Sequence, residues 1–263
     1  MSKKIGLGLG LLILFLTSLH SFSDTVSDWK TLQPGKLIVA TYFSNPPFEF
    51  LNHGKQVGFE VDLIKALAKH LGLQVEFKST QWETIINELK EGRYDLIMGA
   101  ITITAARKKV LAYSNPYMTT TLSILINRQK NPKMDSLKNL KHRIIGVQAA
   151  TTDFEVAKKM KTLGRIADIK VYSFKEFNTA VLDLLAGRID ALMKVSPVAQ
   201  YYVGQHPNLA VLAIVPNDPQ PLGFAVNKNN PKLLRAINQA QAVLKSNGTY
   251  EKIYNHWFST TTT

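Results

Sequence analysis

The chain has 263 residues, a formal net charge of +13 and no cysteine. The lack of cysteine excludes disulfides, thiolate metal sites, cysteine catalysis and the acylated cysteine that anchors exported lipoproteins. The basic residues are spread over the polar positions of amphipathic segments, and the only adjacent basic triplet is Arg107-Lys108-Lys109. This dispersal favours a solvated basic face over a nucleic-acid-binding stripe, and attraction towards anionic ligands or surfaces is the alternative.

The N-terminal residues are typical of a secretory signal. Two lysines precede an apolar run over residues 5–16, which is too short to anchor the chain stably in a bilayer. Ser21 and Ser23 are small residues at the minus-three and minus-one positions, so we predict cleavage before Asp24, with a retained anchor as the alternative. Removal of residues 1–23 is expected to leave a soluble periplasmic protein that is not a lipoprotein.

Beyond this signal, short β-branched runs alternate with helical patterns, which is typical of α/β architecture. In the first half, the predicted strands cover residues 37–40, 73–77 and 95–98, and the predicted helices cover 60–71 and 82–90. The helices are expected to end at the glycines that follow them.

The second half repeats this order of elements. Its predicted strands cover residues 144–147 and 169–172, and its predicted helices cover 152–163 and 176–186. Segments 89–98 and 184–193 match most clearly, because each contains a helix end, a Gly-Arg turn and a strand led by aspartate. The repeat indicates two similar lobes.

No low-complexity linker separates the halves, which argues against two independent domains joined by a flexible linker. Extended segments around 120–127 and 215–223 instead predict two crossover strands, after which the chain returns to the first lobe for C-terminal helices over 231–258. We therefore predict lobe 1 from residues 24–120 and 222–263 and lobe 2 from residues 121–221. Two such connections permit hinge closure on a ligand.

Arg107 is the first candidate binding residue. Thr104 is a favourable N-cap, and it places Arg107 in the first turn of a helix, where the macrodipole disfavours a cation. An arginine in that place favours an anionic partner, and its planar fork suits a carboxylate. An exposed or structurally paired arginine is the alternative.

A second candidate anion site is the predicted strand-to-helix junction around Thr152. Thr152 and Glu155 have capping-box spacing, so the pattern partly indicates an ordinary helix start. Helix N-termini beyond the carboxyl ends of strands also bind small anions in open α/β sheets. Backbone N–H groups near Ala150, Thr151 and Thr152 are therefore expected to face a cleft.

Several motifs together resemble those of one protein family. They occur in order at residues 45–50, 57–63, 92–107, 114–117 and 247–254, and they resemble motifs of the periplasmic polar-amino-acid-binding proteins of ABC importers. The resemblance implies a two-lobed type II periplasmic binding protein fold, in which each lobe is a mixed sheet flanked by helices. It also implies capture of an amino acid or related small carboxylate for delivery to an ABC permease in the inner membrane. We expect a monomer that uses no cofactor and no metal.

The resemblance also implies roles for individual residues. Arg107 would hold the ligand α-carboxylate with help from Thr102 and from N–H groups around Thr152. The Ala100 carbonyl would lie near the ligand amino group. Trp82 would form an aromatic platform against the ligand, with a place in the ordinary core as the alternative.

Other positions depart from the family pattern. By the same resemblance, Tyr42 and Asn45 lie on a first-lobe loop that usually contributes an acid and a second aromatic residue, and Tyr42 stands where the acid is frequent. Gln148 lies at a second-lobe position that tunes side-chain choice. Val195, preceded by Lys194, stands where an aspartate normally holds the ligand α-ammonium. We therefore expect either an anionic or atypical ligand, or an amino acid whose amino group uses a substitute acceptor. The candidate acceptors are backbone carbonyls, Tyr42, Glu49 and Glu60.

Two alternative functions share this fold. Cyclohexadienyl dehydratases resemble the sequence in outline, but their catalytic acid follows the second-lobe Gly-x-x-Asp strand, where this chain has Val195-Ser196-Pro197-Val198. We therefore expect no enzymatic activity. A sensory binding protein without a transport role is the other alternative, because a fold does not fix its use.

Overall fold

A computed structural model describes residues 28–259, so the predicted signal at residues 1–23 lies outside the described residues. The strands are β1 (Lys36–Thr41), β2 (Ser44–Asn45), β3 (Glu49–Asn52), β4 (Lys55–Val57), β5 (Gln74–Ser79), β6 (Leu96–Ile97), β7 (Ala112–Tyr113), β8 (Met118–Thr120), β9 (Leu122–Asn127), β10 (Ile144–Gln148), β11 (Asp168–Tyr172), β12 (Ala191–Val195), β13 (Leu209–Ile214), β14 (Gln220–Leu222) and β15 (Ala225–Val226). The α-helices are α1 (Phe59–His70), α2 (Trp82–Lys90), α3 (Ala105–Lys108), α4 (Thr152–Thr162), α5 (Phe177–Ala186), α6 (Ser196–Gln205), α7 (Pro231–Ser246) and α8 (Thr249–Phe258).

The first five-stranded sheet has the order β5-β1-β6-β15-β7. Strands β5, β1 and β6 are parallel, and β15 runs antiparallel to both of its neighbours. Helix α1 forms because its apolar residues recur at helical spacing, and Val61, Ile64 and Leu67 are buried as that spacing predicts. The core of this half therefore lies between the sheet and its helices.

The second five-stranded sheet has the order β11-β10-β12-β9-β13. Strands β11, β10 and β12 are parallel, whereas β9 and β13 run antiparallel to their neighbours. Two mixed sheets with flanking helices confirm the predicted two-lobed α/β fold. Parallel strands place the following loops at one edge of each sheet, where open α/β sheets bind ligands.

Strands β8 and β14 form a separate antiparallel pair, in which Thr120 lies opposite Gln220 and Met118 lies opposite Leu222. The predicted first crossover at 120–127 extends too far, because residues 122–127 form strand β9 inside the second sheet. The predicted lobe boundaries fall at this strand pair, and the division of the chain into 24–120, 121–221 and 222–263 stays a prediction.

The predicted helical region at 231–258 contains two helices, α7 and α8. Gly248 separates them with a positive φ of 76°, which glycine adopts without a Cβ clash. Within residues 28–259, no helix combines the length and the apolar character that a membrane crossing requires.

Candidate functional site

A small cavity lies between loops that follow strands of both sheets. Its lining residues are Asn45, Trp82, Gly99, Ala100, Thr102, Arg107, Thr151, Thr152, Asp153, Phe174, Lys194 and Val195. All the predicted site residues except Tyr42 and Gln148 therefore lie together. The cavity measures about 20 Å³, which is close to the room that one water needs. A wider surface groove of about 550 Å³ runs between α4 and residues 215–218, and none of the predicted site residues lines it.

Each lobe has an alanine with a positive φ next to this cavity. Ala100 follows β6 with a φ of 49°, and Ala150 follows β10 with a φ of 60°. A positive φ places the Cβ of an alanine close to its own backbone and costs about 1–2 kcal/mol. Such strain is characteristic of functional sites, where surrounding contacts hold it in place.

Arg107 occupies the predicted position at the start of a helix. The Thr104 hydroxyl accepts a hydrogen bond from the Arg107 N–H at 3.2 Å, which confirms the predicted N-cap. The guanidinium donates from Nη1 to the Thr102 carbonyl at 3.0 Å and from Nη2 to the Ala150 carbonyl at 3.1 Å. Burial lowers the pKa of Arg107, and no carboxylate among residues 28–259 lies within salt-bridge distance of it. Its side-chain hydrogen bonds therefore go to neutral carbonyls, and its Cζ lies 5.9 Å from the centroid of the Trp82 ring.

Trp82 connects the two sides of the cavity. Its ring stacks on Phe174 with centroids 4.8 Å apart and an interplanar angle of 21°, and its Nε1 donates to the Ala150 carbonyl at 3.3 Å. Trp82 also belongs to a buried hydrophobic cluster that includes Ile85 and Ile97. Trp82 therefore has features of both predicted roles, the aromatic platform and the ordinary core residue, since it lines the cavity and belongs to a buried cluster.

Gln220 joins threonines from both sides, and the sequence analysis did not identify it as a site residue. Its Oε1 accepts from the hydroxyl of Thr102 at 3.0 Å and from the hydroxyl of Thr152 at 2.8 Å. Gln220 is buried in β14, and its Nε2 donates to the Asp218 carboxylate at 2.9 Å. The sequence feature that could have indicated a role for Gln220 was a polar amide side chain within a predicted crossover strand.

The junction at α4 differs by one residue from the prediction. Thr151, not Thr152, is the N-cap, because Thr151 keeps an extended backbone and its hydroxyl accepts from the Phe154 N–H at 3.3 Å. Glu155 forms an ion pair with Lys158 at 2.8 Å, so it is directed along the helix. The Thr152 hydroxyl is thereby free to reach Gln220.

Lys194 is a buried cation at the end of β12, beside Val195. Its Nζ donates to the Gln148 side-chain oxygen and lies 5.0 Å from the Phe174 ring centroid. Burial lowers the pKa of Lys194, and the negative charges of Asp153 and Glu49 oppose that effect. No carboxylate in the described part of the chain lies within 4.0 Å of this ammonium group.

Gln148 and Tyr42 were expected at the ligand, and the structure places neither of them on the cavity wall. Gln148 lies behind Lys194, where its amide also donates to the Phe174 carbonyl at 2.8 Å. Tyr42 lines a neighbouring cavity with Glu83. Phe174 lines both cavities, and its ring meets that of Tyr42 edge to face at 5.8 Å.

Glu49 and Glu60 form a buried acid pair in the first lobe. Glu60 accepts from the Ala100 N–H at 3.0 Å and from the Tyr117 hydroxyl at 2.6 Å. Burial raises the pKa of both carboxyls, and the proximity of Glu60 raises that of Glu49 further. Neither residue lines the cavity, so Asp153 supplies the carboxylate among its lining residues.

Comparison with known proteins identifies the family of the chain. The family model for bacterial extracellular solute-binding proteins, family 3, matches residues 37–260. The chain belongs to this family. The "ABC transporter arginine-binding protein 1" of Escherichia coli (strain K12) is 30% identical to this family member, with 84% of this chain and 88% of the relative covered.

Two solved structures share the fold of this family member. An ancestral arginine-binding protein bound to arginine has a TM-score of 0.78 and 38% identity, with coverage of 86% of this chain and 99% of that one. An ancestral amino-acid-binding protein, described as a precursor of cyclohexadienyl dehydratase, has a TM-score of 0.77 and 37% identity, with coverage of 86% and 96%.

Proposed function

We propose that this protein captures an amino acid or a related small carboxylate outside the cytoplasm and delivers it to an ABC permease. The observation that carries the proposal is Arg107, a half-buried guanidinium that lines the cavity and whose side-chain hydrogen bonds go to two neutral carbonyls. A ligand carboxylate would take the place of these neutral acceptors and form a bidentate, charge-assisted pair of hydrogen bonds with the guanidinium. The names of the relatives, which include arginine-binding proteins, support the same ligand class.

The binding step requires motion, because the cavity holds about 20 Å³ and an amino acid is several times larger than one water. Contacts between the lobes would open, including the bonds from Trp82 and Arg107 to the Ala150 carbonyl. We propose the β8–β14 pair as the hinge, since both connections pass through it. Small-angle scattering would then show compaction when ligand is added to the open form.

A cleaved signal, a periplasmic location and a monomeric state complete the proposal. A binding role without catalysis is supported by the segment Val195-Ser196-Pro197-Val198, which carries no carboxylate. The solved relative that is described as a precursor of a dehydratase is itself described as an amino-acid-binding protein.

A thermal-shift screen of amino acids and small carboxylates tests the proposal. A ligand that binds only the folded state stabilises it by about 2.7 kcal/mol at a concentration of 100 times Kd. We expect at least one carboxylate to raise the Tm of the wild type, and we expect Arg107→Gln to abolish that shift. Arg165→Gln is the matched control, because Arg165 is exposed and lies away from the cavity. Equal shifts in wild type and Arg107→Gln would overturn the proposal.

A further inference from the structure

Lys194 provides a charge that the proposed carboxylate clamp does not use. Its side chain is 5% exposed and lines the cavity. An ammonium group has three donors, and in the described part of the chain one of them bonds to Gln148. The flanking rings of Phe174 and Phe177, at 5.0 and 5.2 Å, hold the group in place without neutralising it.

Lys194 and Arg107 approach the cavity from opposite lobes. Lys194 ends a strand of the second sheet, whereas Arg107 lies in α3, after a strand of the first sheet. The charged residues on the wall are therefore two cations and one carboxylate, that of Asp153. Asp153 stands in the first turn of α4, where the helix N-terminus and the Gln148 N–H, 3.5 Å from its Oδ2, already stabilise its charge.

A second cation on the wall changes which ligands are favoured. A cationic side chain near Lys194 would lose its hydration and would face a like charge, and both effects oppose binding. An anionic group would instead accept from the remaining donors of the ammonium, and it would pair a buried charge that has no carboxylate of the described residues within 4.0 Å. Val195 is apolar and supplies no acceptor for a cation at the neighbouring position.

We propose that the ligand carries a second acidic group, which pairs with Lys194 while Arg107 holds the first carboxylate. The substrate class is thus small dicarboxylates and acidic amino acids, in contrast to the arginine named for several relatives. This inference rests on the proposed function, because it requires that Arg107 holds a carboxylate in the same cavity. Asp153 and the Ala100 carbonyl remain as acceptors for the ammonium of an acidic amino acid.

Titration calorimetry at pH 7 with L-glutamate, glutarate, L-glutamine and L-arginine tests the proposal. L-Glutamate and L-glutamine have nearly the same shape and differ in the charge of the side chain. We expect the tighter of the two acidic ligands to bind wild type about tenfold or more tightly than L-glutamine or L-arginine. Lys194→Gln should remove most of this preference, Lys194→Arg should retain it, and Lys138→Gln, at an exposed position, should leave it unchanged.

The outcomes separate this inference from the proposed function. If L-arginine or L-glutamine binds wild type most tightly, the inference is overturned and the proposed function is intact. The same holds if folded Lys194→Gln keeps the full preference for acidic ligands. Absence of binding by all four ligands would overturn the inference, and the wider carboxylate screen would then decide the proposed function. If Lys194→Gln does not fold, the wild-type order of affinities and the Lys194→Arg variant decide the matter.

Discussion

Substitution of Gln220 by leucine tests whether the crossover strand stabilises the closed cleft. The change removes the oxygen that accepts from Thr102 and Thr152, while the side-chain volume stays similar. Thr102 already pairs with Leu222 through the backbone, so its bond to Gln220 joins two segments that are adjacent whether or not the cleft is open. The Thr152 bond at 2.8 Å joins the crossover strand to the second lobe, and it is the bond that opening would break.

The expected size of the effect follows from that one bond, because the Nε2 bonds to Asp218, which are also lost, join residues two positions apart and do not connect the lobes. A neutral hydrogen bond contributes about 1 kcal/mol net, which corresponds to about a fivefold change in an equilibrium constant. We therefore expect Gln220→Leu to lower the ratio of closed to open molecules about fivefold. If the closed form is the minor form of the free protein, the apparent ligand affinity falls by a similar factor. The reason is that part of the binding free energy is then used to close the cleft.

Distance measurements between one fluorophore on each lobe would report the closed fraction, and calorimetry would report affinity. Gln129→Leu is the matched control, because Gln129 is exposed and its side chain has no role in the cavity. An unchanged closed fraction and affinity in folded Gln220→Leu would refute the reasoning, since the Thr152 bond would then contribute nothing to closure.

Three further measurements test other parts of the structure. Trp82→Ala should weaken ligand affinity by about 1–3 kcal/mol and lower stability by about 3–5 kcal/mol, because Trp82 serves both the cavity and a buried cluster; normal affinity with early melting would leave only the core role. The hydrogen bonds that Lys170 and Arg188 donate to Asp183 hold the pKa of that carboxyl below its usual range. These ion pairs therefore stabilise the fold fully at pH values above the pKa of Asp183 in the unfolded chain, and this stabilisation is lost as pH falls through its pKa in the folded protein. Urea midpoints should therefore decline in acid for wild type and decline less for Asp183→Asn. Burial lowers the pKa of Lys194 and an anionic ligand would raise it, so binding should weaken as pH rises through the pKa of Lys194 in the free protein. In the pH range between the free and the bound pKa, binding should also take up protons; calorimetry in buffers of different ionisation enthalpy, repeated at increasing pH, would detect this uptake, and a pH-independent affinity up to pH 10.5 would contradict the pairing.

Local patterns predicted the elements well because the relevant forces act over a few residues. The spacing of Val61, Ile64 and Leu67 predicted helix α1, and the Thr104 hydroxyl predicted the N-cap that positions Arg107. The repeated Gly-Arg turn before β6 and β12 likewise predicted two related sheets. The place of Arg107 on the cavity wall thus follows from a cap that is readable in the sequence.

The missed residues depend on contacts between distant segments. Phe174 lies in the 3₁₀ turn Phe174–Glu176, and its position against Trp82 is set by the way the two lobes meet. That same ring explains why Tyr42 lies in a separate cavity. Asp153 stands in the first turn of a helix, where an acid is common for local electrostatic reasons, so its sequence context did not mark it as part of the cavity wall.

The Ala150 carbonyl accepts hydrogen bonds from both Trp82 and Arg107, so under the proposed function it acts as an internal competitor for the ligand carboxylate. A carboxylate that takes the place of this oxygen at Nη2 of Arg107 would bind with an affinity set by the difference between the two interactions. Because the competitor is a main-chain atom held on a strained alanine, side-chain substitution at position 150 does not remove it. Release is assisted for the same reason, since the departing ligand is replaced by an acceptor that is already in place.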